Sequence, residues 1–243
     1  MRAIRTLLLR TLLLAAVAGA AIGVAAPWAG AANECDGLQI CISVPGPWVV
    51  VPSKTGSSRE RVEFQLDCPK GHVVAGLDAR LSVRPIEVSF VGKLGSPVNP
   101  GITTTRSAVF IATYVGRSDR APTFKPFIGC VPMAGGGSRV PTSVGSTQAF
   151  QPGQAVTRRV HSVRIRPGST TVVQRCARGE HVVGGSHAFA FATRTPPSES
   201  LVSSISGSQS VGDRSVSVRV RGDAELAGVR AFVQVHALCS RLA

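Results

Sequence analysis

Apolar and polar residues alternate along several stretches of the chain. The clearest of these stretches are residues 62–68, 77–84, 215–221 and 233–239. Successive side chains of a β-strand point to opposite faces, so this period of two predicts strands with one apolar and one polar face. Glycine and proline interrupt the runs at short intervals, and no stretch after residue 32 has the 3.6-residue apolar repeat of a helix. The pattern therefore predicts an all-β protein of antiparallel, sandwich or jelly-roll-like units.

One segment of the chain occurs twice. Residues 68–76 read CPKGHVVAG, and residues 176–185 read CARGEHVVGG. A further cysteine follows each copy at nearly the same distance, Cys130 after the first and Cys239 after the second. This spacing indicates a tandem duplication of homologous β-sandwich units.

The repeat also sets the expected domain limits. Residues 33–133 and 156–243 are predicted to form two β-units, joined by the Gly/Pro/Ser-rich linker 134–155. A single body in which both repeats share one core is an alternative that the sequence leaves open. An alignment by residue type pairs His72 with His181 and makes Glu180 an extra residue of the second copy.

All six cysteines follow residue 32, and their even number is typical of disulfides in an oxidising compartment. Six cysteines can pair in fifteen ways. The repeat favours one bridge inside each unit and a small N-terminal loop, with the pairs Cys35–Cys41, Cys68–Cys130 and Cys176–Cys239. No Cys-x-x-Cys pair is present, so we expect no zinc or other metal site.

The N-terminus has the features of a secretion signal. Three arginines precede an uncharged apolar run, and small residues follow it. We expect residues 1–32 to be a signal peptide that is cleaved near Ala31 or Ala32, which leaves a secreted chain without a transmembrane segment. An uncleaved membrane anchor is the alternative, because the uncharged stretch 11–32 is just long enough to cross a bilayer.

The repeated segment resembles that of a known group of proteins. A cysteine, a Gly-Glu turn, Val-Val-Gly-Gly and a closing cysteine are similar to the repeats of secreted actinobacterial proteins of unknown function. The second copy, with Glu180 and the pair Gly184-Gly185, fits this pattern better than the first, which has His72 and Ala75 instead. The resemblance covers most of both units and implies no particular activity.

No residue pattern predicts catalysis. The chain lacks the Gly-x-Ser-x-Gly nucleophile elbow and the phosphate-binding glycine loop, and its five histidines show no metal-binding spacing. Several acidic residues occupy outward positions of the predicted strands, and no pair is singled out for glycosidase chemistry: Glu60, Glu63, Asp67 and Asp78. We therefore expect no catalytic residue, metal or cofactor. A secreted hydrolase with an unrecognised active site is the alternative.

Positive charge is the feature that bears most on function. The chain carries a net charge of +14, of which the three arginines before residue 33 account for three, leaving +11. Residues 33–133 contain 11 basic and 8 acidic side chains, whereas residues 156–243 contain 12 arginines and 5 acidic side chains. The excess charge therefore lies in the second unit.

Six arginines of the second unit are predicted to form an outward basic face: Arg158, Arg159, Arg164, Arg166, Arg219 and Arg221. Guanidinium groups suit carboxylate, sulfate and phosphate, so an anionic cell-wall or extracellular polymer is the expected partner. Trp48, Phe189 and Phe191 are expected in the core, and the lack of aromatic residues among the arginines argues against specific nucleic-acid recognition. The sequence predicts a non-catalytic binding or structural protein and leaves its oligomeric state open.

Overall fold

The computed structural model describes residues 34–38, 40–53, 60–91, 106–117, 122–133 and 156–241. The predicted signal peptide, its cleavage sites and the predicted linker lie outside these described residues. Residues 32–243 cluster as one compact unit.

The described residues form thirteen β-strands. They are β1 Ile42–Pro45, β2 Trp48–Val50, β3 Arg61–Asp67, β4 His72–Leu81, β5 Ile86–Val91, β6 Ser107–Tyr114, β7 Thr123–Pro132, β8 Val156–Ile165, β9 Gly168–Arg175, β10 His181–Phe191, β11 Ile205–Val211, β12 Ser215–Gly222 and β13 Ala231–Ser240. A short helix, α1, spans Glu199–Ser203, and one 3-10 turn covers Ala224–Leu226. Every strand pairing is antiparallel, so the prediction of an all-β, antiparallel protein is confirmed.

The strands form three sheets. A central seven-stranded sheet has the order β1-β7-β2-β10-β13-β8, with β4 also paired to β7. Two three-stranded sheets have the orders β3-β6-β5 and β11-β12-β9. The central sheet contains strands of both sequence repeats, because β2 pairs with β10 through Trp48 opposite Phe191 and Val49 opposite Ala190.

One apolar core lies on each face of the central sheet. Val49 and Ala190, which face each other across β2 and β10, belong to the core beneath β3, β5 and β6. The adjacent residues Val50 and Phe191 contact the core beneath β9, β11 and β12. Since neighbouring residues of a strand point to opposite faces, the two small sheets cover opposite faces of the central one. Trp48 and Phe191 are fully buried and Phe189 packs against the second core, as the sequence predicts.

The two repeats correspond strand by strand, from β3–β7 to β9–β13. The pairing of β4 with β7 and the pairing of β10 with β13 share an irregularity at the same place, after Val74 and after Val182. Such β-bulges leave one residue unpaired and bend the strand. Gly71 and Gly179 both have a φ of 79°, a conformation that glycine adopts without strain, and both end the turn after the first cysteine.

These turns correct the alignment of the repeats. The amide of His72 donates to Pro69 O, and the amide of Glu180 donates to Ala177 O, both at 3.1 Å. His72 therefore corresponds to Glu180, and the alignment that paired it with His181 is wrong by one residue. The extra residue of the second repeat falls between β12 and β13, where the strand registers of the two repeats change by one position.

The structure contains the three predicted disulfides, Cys35–Cys41, Cys68–Cys130 and Cys176–Cys239. Each of the two long bridges joins the end of the first strand of a small sheet to the central sheet. A disulfide that closes a loop of about 60 residues constrains the unfolded chain and thereby contributes on the order of 4 kcal/mol of stability. The bridges thus hold each small sheet on its own face of the central sheet.

Candidate functional site

The six candidate arginines fall into two groups. Arg158 and Arg159 are partly buried and form ion pairs inside the protein, with Glu63 at 2.5 Å and with Glu180 at 2.9 Å. The other four are exposed: Arg164, Arg166, Arg219 and Arg221. The two groups therefore have different surroundings, and only the second can meet a large ligand.

Arg158 belongs to a polar cluster between the two repeats. Its Nη1 donates to Glu63 Oε2 and lies 2.8 Å from Nδ1 of His236, a residue with no solvent exposure. Burial, and then the charge of Arg158, lower the pKa of His236 to about 4. The neutral ring therefore accepts from Arg158 at Nδ1, and its Nε2–H donates to Gln234 Oε1 at 2.8 Å.

Glu63 is 6 % exposed, so the sequence-based placement of this side chain on an outward face is wrong. Burial alone would raise the pKa of Glu63, but the hydrogen bond and charge of Arg158, together with the hydroxyl of Ser186, lower it. Strand alternation placed Glu63 away from its own core correctly. Its carboxylate instead meets Ser186 of β10 and Arg158 of β8 in the second repeat, which a local pattern does not reveal.

The cluster holds serine, histidine and glutamate, but their hydrogen bonds do not form a nucleophile. Ser186 Oγ donates to Glu63 Oε2 at 3.1 Å, whereas His236 bonds to Gln234 and Arg158. A catalytic serine needs a base that accepts its own proton. The arrangement is that of a satisfied, enclosed network that joins the two repeats.

Arg159 closes the turn after Cys176. It binds Glu180 through two parallel hydrogen bonds, from Nε at 3.0 Å and from Nη2 at 2.9 Å. The same carboxylate accepts from the amide of Ala177 at 2.9 Å. The hydrogen bond from Arg159, followed by that of Ala177, lowers the pKa of Glu180. This arginine has a structural partner that accounts for its orientation.

Arg219 and Arg221 lie side by side on the outer face of β12, the middle strand of its sheet. Alternation places Val216, Val218 and Val220 in the core, so both arginines point away from it. Arg219 faces Ser208 on β11 and Thr171 on β9, and Arg221 faces Ser206 and Ser169 in the same way. Each guanidinium is thus flanked on both sides by hydroxyl-bearing residues.

This surface is an open groove of about 390 Å³, lined by Ser169, Ser206, Gly207, Ser208, Arg219 and Arg221. Because two residues along a strand span about 6.7 Å, regular strand geometry spaces the two arginines by about that distance. The outward residues of β9, β11 and β12 include no acidic side chain. Neither Arg219 nor Arg221 forms an ion pair with a described residue. We name this surface the Arg/Ser face.

Arg164 is separate from the Arg/Ser face. It follows the strand alternation of β8, pointing away from the second core into which Ile165 is buried. Arg219 lies on the small sheet at the other side of this core and also points away from the core. The two side chains therefore project from opposite outer surfaces of the two packed sheets. Among the six candidates, the structure therefore brings together Arg219 and Arg221 and separates them from Arg158, Arg159 and Arg164. Arg166 is exposed in the turn between β8 and β9, with its backbone oxygen beside Gly222.

Within the described residues, one group has the composition of a metal site: Cys176, Glu180 and Cys239. The two sulfurs are bonded to each other, and the carboxylate is held by Arg159. Cysteine binds a metal ion as a thiolate, which neither sulfur of a disulfide provides, so this group is a disulfide beside an ion pair.

Comparison with known protein families, with curated proteins and with solved structures finds no match for the chain. In the part of the chain that the structure describes, no helix is both long and apolar enough to span a membrane.

Proposed function

We propose that the protein is a secreted, non-catalytic binding protein that holds an anionic polymer on the Arg/Ser face. The observation that carries this proposal is the pair Arg219 and Arg221, exposed on a middle strand between two rows of hydroxyl-bearing residues. Guanidinium forks bind phosphate, sulfate and carboxylate oxygens, and serine and threonine hydroxyls donate to the same groups.

The shape of the surface favours a polymer over a small ligand. The groove is open and shallow, and small-molecule sites are usually enclosed enough to bury most of the ligand. Two cations along β12 can bind successive anionic groups of one chain. The net charge of +11 that remains after residue 32 raises the local concentration of polyanions around the molecule.

A comparison of the two repeats supports the assignment of polyanion binding to the second one. The counterparts of Arg219 and Arg221 on β6 are Ile111 and Thr113, as the matching strand registers show. Glu87 lies directly opposite Thr113 on β5. Arg61 lies opposite Thr113 on β3, but it is 3.9 Å from the carboxylate of Glu63. The corresponding surface of the first repeat therefore lacks the two adjacent cations of β12 and carries acidic residues beside its one arginine, so polyanion binding belongs to the second repeat.

We also propose the origin and the location of the protein. The two repeats are homologous β-sandwich units that arose by duplication, and their matching strand registers and disulfides support this. Secretion is supported by the three disulfides and by the predicted signal peptide.

The test is retention on a heparin column, with the double variant Arg219→Gln/Arg221→Gln compared with Arg164→Gln/Arg194→Gln. Both variants remove two exposed positive charges, so a contribution from net charge alone is the same in each. We expect the first variant to elute at a clearly lower salt concentration than the second. Equal elution of the two variants would show that retention follows net charge and that the Arg/Ser face is no binding site.

A further inference from the structure

The outer surface of the small sheet formed by β9, β11 and β12 continues beyond the Arg/Ser face. Along β9, Val172 enters the second core, and strand alternation therefore turns Arg175 to the outer surface. Arg175 is exposed and lies opposite Ser215 on β12. The sheet thus carries a third arginine on the same surface as Arg219 and Arg221.

The three arginines are spread along the strands. Arg219 pairs with Thr171, which precedes Arg175 by four residues on β9. At about 3.3 Å per residue, regular strand geometry places Arg175 about 13 Å along the sheet from Arg219 and about 20 Å from Arg221. We name these three arginines and the outward residues between them the arginine track. A ligand that contacts the whole track must be an extended chain.

The row between Arg219 and Arg175 contains no cation. Its outward residues are Ser210 of β11, Ser217 of β12 and Val173 of β9. The hydroxyl oxygens of the two serines lie 2.7 Å apart and share a hydrogen bond. Hydroxyls both donate and accept, which suits the hydroxyls of a sugar, whereas ionised phosphate and sulfate oxygens only accept. The middle of the track therefore favours a neutral, hydroxyl-bearing part of a ligand.

The first repeat has acidic residues along the corresponding surface. Strand β3 carries Asp67 where β9 carries Arg175, and Glu63 where β9 carries Thr171. Strand β5 carries Glu87 where β11 carries a serine. The three acidic positions of the first repeat are thus an arginine, a threonine and a serine in the second. The difference between the repeats extends over the full length of the track.

Acidic side chains border the track at its ends and do not lie on it. They are Glu199, Asp223 and Glu225 beyond Arg221, where Arg166 is also exposed, and Asp213 beyond Arg175. Asp213 binds His181 of β10 at 2.8 Å, and no described residue forms an ion pair with an arginine of the track. The acidic group beyond Arg221 repels a polyanion, so a bound chain runs from Arg221 towards Arg175.

We propose that the ligand of this surface is an extended acidic polysaccharide and that Arg175 is its third cationic contact. The inference rests on the proposed binding at the Arg/Ser face and names the class of polymer. Arg219 and Arg221 hold anionic groups at one end, Arg175 holds one at the other, and the serine pair meets sugar hydroxyls between them. A polyphosphate would instead place anions beside the serines, where no cation meets them.

The experiment is isothermal titration calorimetry at low salt with the full mature chain, a heparin disaccharide and a heparin decasaccharide. The disaccharide is shorter than the track, and the decasaccharide is longer. We expect Arg175→Gln to weaken binding of the decasaccharide about threefold, the usual size of an exposed charge contact, and to leave the disaccharide unaffected. The control Arg164→Gln removes one exposed charge from the outer surface of the opposite sheet and should change neither affinity.

The outcomes separate this inference from the proposed function. A decasaccharide affinity that falls in Arg219→Gln/Arg221→Gln but not in Arg175→Gln would overturn the track and leave the Arg/Ser face as the site. A wild type that binds neither oligosaccharide would overturn both.

A second variant, Ser210→Ala/Ser217→Ala, tests the class of polymer. The two hydroxyls are bonded to each other, so removing both together leaves neither partner unsatisfied. We expect this variant to bind the decasaccharide about threefold more weakly, and to bind a polyphosphate of the same length as the wild type does. Equal effects on the two polymers, or no effect on either, would show that the serine pair does not meet sugar hydroxyls and that the polysaccharide assignment is wrong.

Discussion

The side-chain amide of Gln234 pairs with the backbone of Gln65, 169 residues earlier in the chain. The amide of Gln65 donates to Gln234 Oε1 at 2.6 Å, and Gln234 Nε2 donates to Gln65 O at 3.1 Å. Gln65 lies on β3, an edge strand of its sheet, so this side chain stands in for the missing neighbouring strand. One side chain of the second repeat thereby pairs with both backbone hydrogen-bonding groups of Gln65 in the first.

Replacing Gln234 by Ala should destabilise the whole protein. The substitution leaves an N–H and a C=O of Gln65 without their partner, at a cost of about 1–3 kcal/mol in the free energy of unfolding. Urea denaturation measures this change. The control is Gln174→Ala, whose side chain bonds to the backbone of Arg175 at the surface, and it should change the midpoint little. A Gln234→Ala variant as stable as this control would show that the contact contributes nothing.

Replacing Glu63 by Gln tests the ion pair between the repeats. Arg158 would keep its charge, only 18 % of its side chain being exposed, while losing the carboxylate that compensates it. Breaking one side of a buried pair typically costs about 3 kcal/mol or more. Arg61, which lies 3.9 Å from the same carboxylate with 69 % of its side chain exposed, provides the comparison. Arg61→Gln should cost less than about 1 kcal/mol, and similar costs for both variants would refute the distinction.

Stability should fall as the pH drops from about 6.5 to about 4. In this window the unfolded chain binds a proton at its ordinary histidine pKa, whereas folded His236, with its pKa lowered to about 4, does not. Protonation therefore stabilises the unfolded state, and the free energy of unfolding falls by about 3 kcal/mol over the whole window. The lowered pKa of Glu63 acts in the same direction below about pH 4.5, since its ionised form is the one that binds Arg158.

Urea midpoints measured between pH 4.5 and 7.5 test this dependence. His236→Gln keeps an acceptor for Arg158 and a donor for Gln234 but does not titrate, so its stability should vary much less with pH. A wild type whose midpoint changes no more than that of the variant would contradict the assignment of a buried neutral histidine.

Gly76 and Gly184 occupy corresponding positions but should respond differently to substitution by alanine. A Cβ at Gly76 would lie 1.7 Å from the backbone oxygen of Glu34, the residue that directly precedes the loop closed by the Cys35–Cys41 disulfide. A Cβ at Gly184 would meet only the side chain of Leu238, at 3.2 Å. Gly76→Ala should displace the loop and destabilise the protein by about 1–3 kcal/mol, while Gly184→Ala should cost less. Hydrogen exchange at the amide of Leu38, which binds Cys35 O, reports the loop directly. Equal exchange in the two variants would refute the contact.

Much of the architecture follows from local sequence signals. The alternation of valine with serine and arginine along β12 predicts which side chains enter the core, and Arg219 and Arg221 point outward accordingly. The repeat predicts the disulfides, because each unit can close its own bridge. These features depend on residues close in sequence or on symmetry between the two copies.

The contacts between the repeats could not be predicted in this way. The pattern around Glu63 and Arg158 is that of exposed strand positions, because a local period of two reports which face a side chain takes, not what covers that face. The one-residue error in the alignment of His72 has a similar origin. Matching residue types favoured a gap at Glu180, whereas the backbone hydrogen bonds of the turn require none.

The most direct test of the proposed function is the affinity of the Arg/Ser face for a polyanion as a function of salt. The dissociation constant of a length-defined heparin oligosaccharide should be measured for the wild type and for Arg219→Gln/Arg221→Gln between about 0.05 and 0.3 M salt, where screening of exposed charges changes strongly. We predict that the variant binds at least about tenfold more weakly at the lowest salt and depends less steeply on salt, because two arginine–anion contacts and their counterion release are lost. Equal affinities and equal salt dependence for the two proteins would contradict the claim that Arg219 and Arg221 form the binding site.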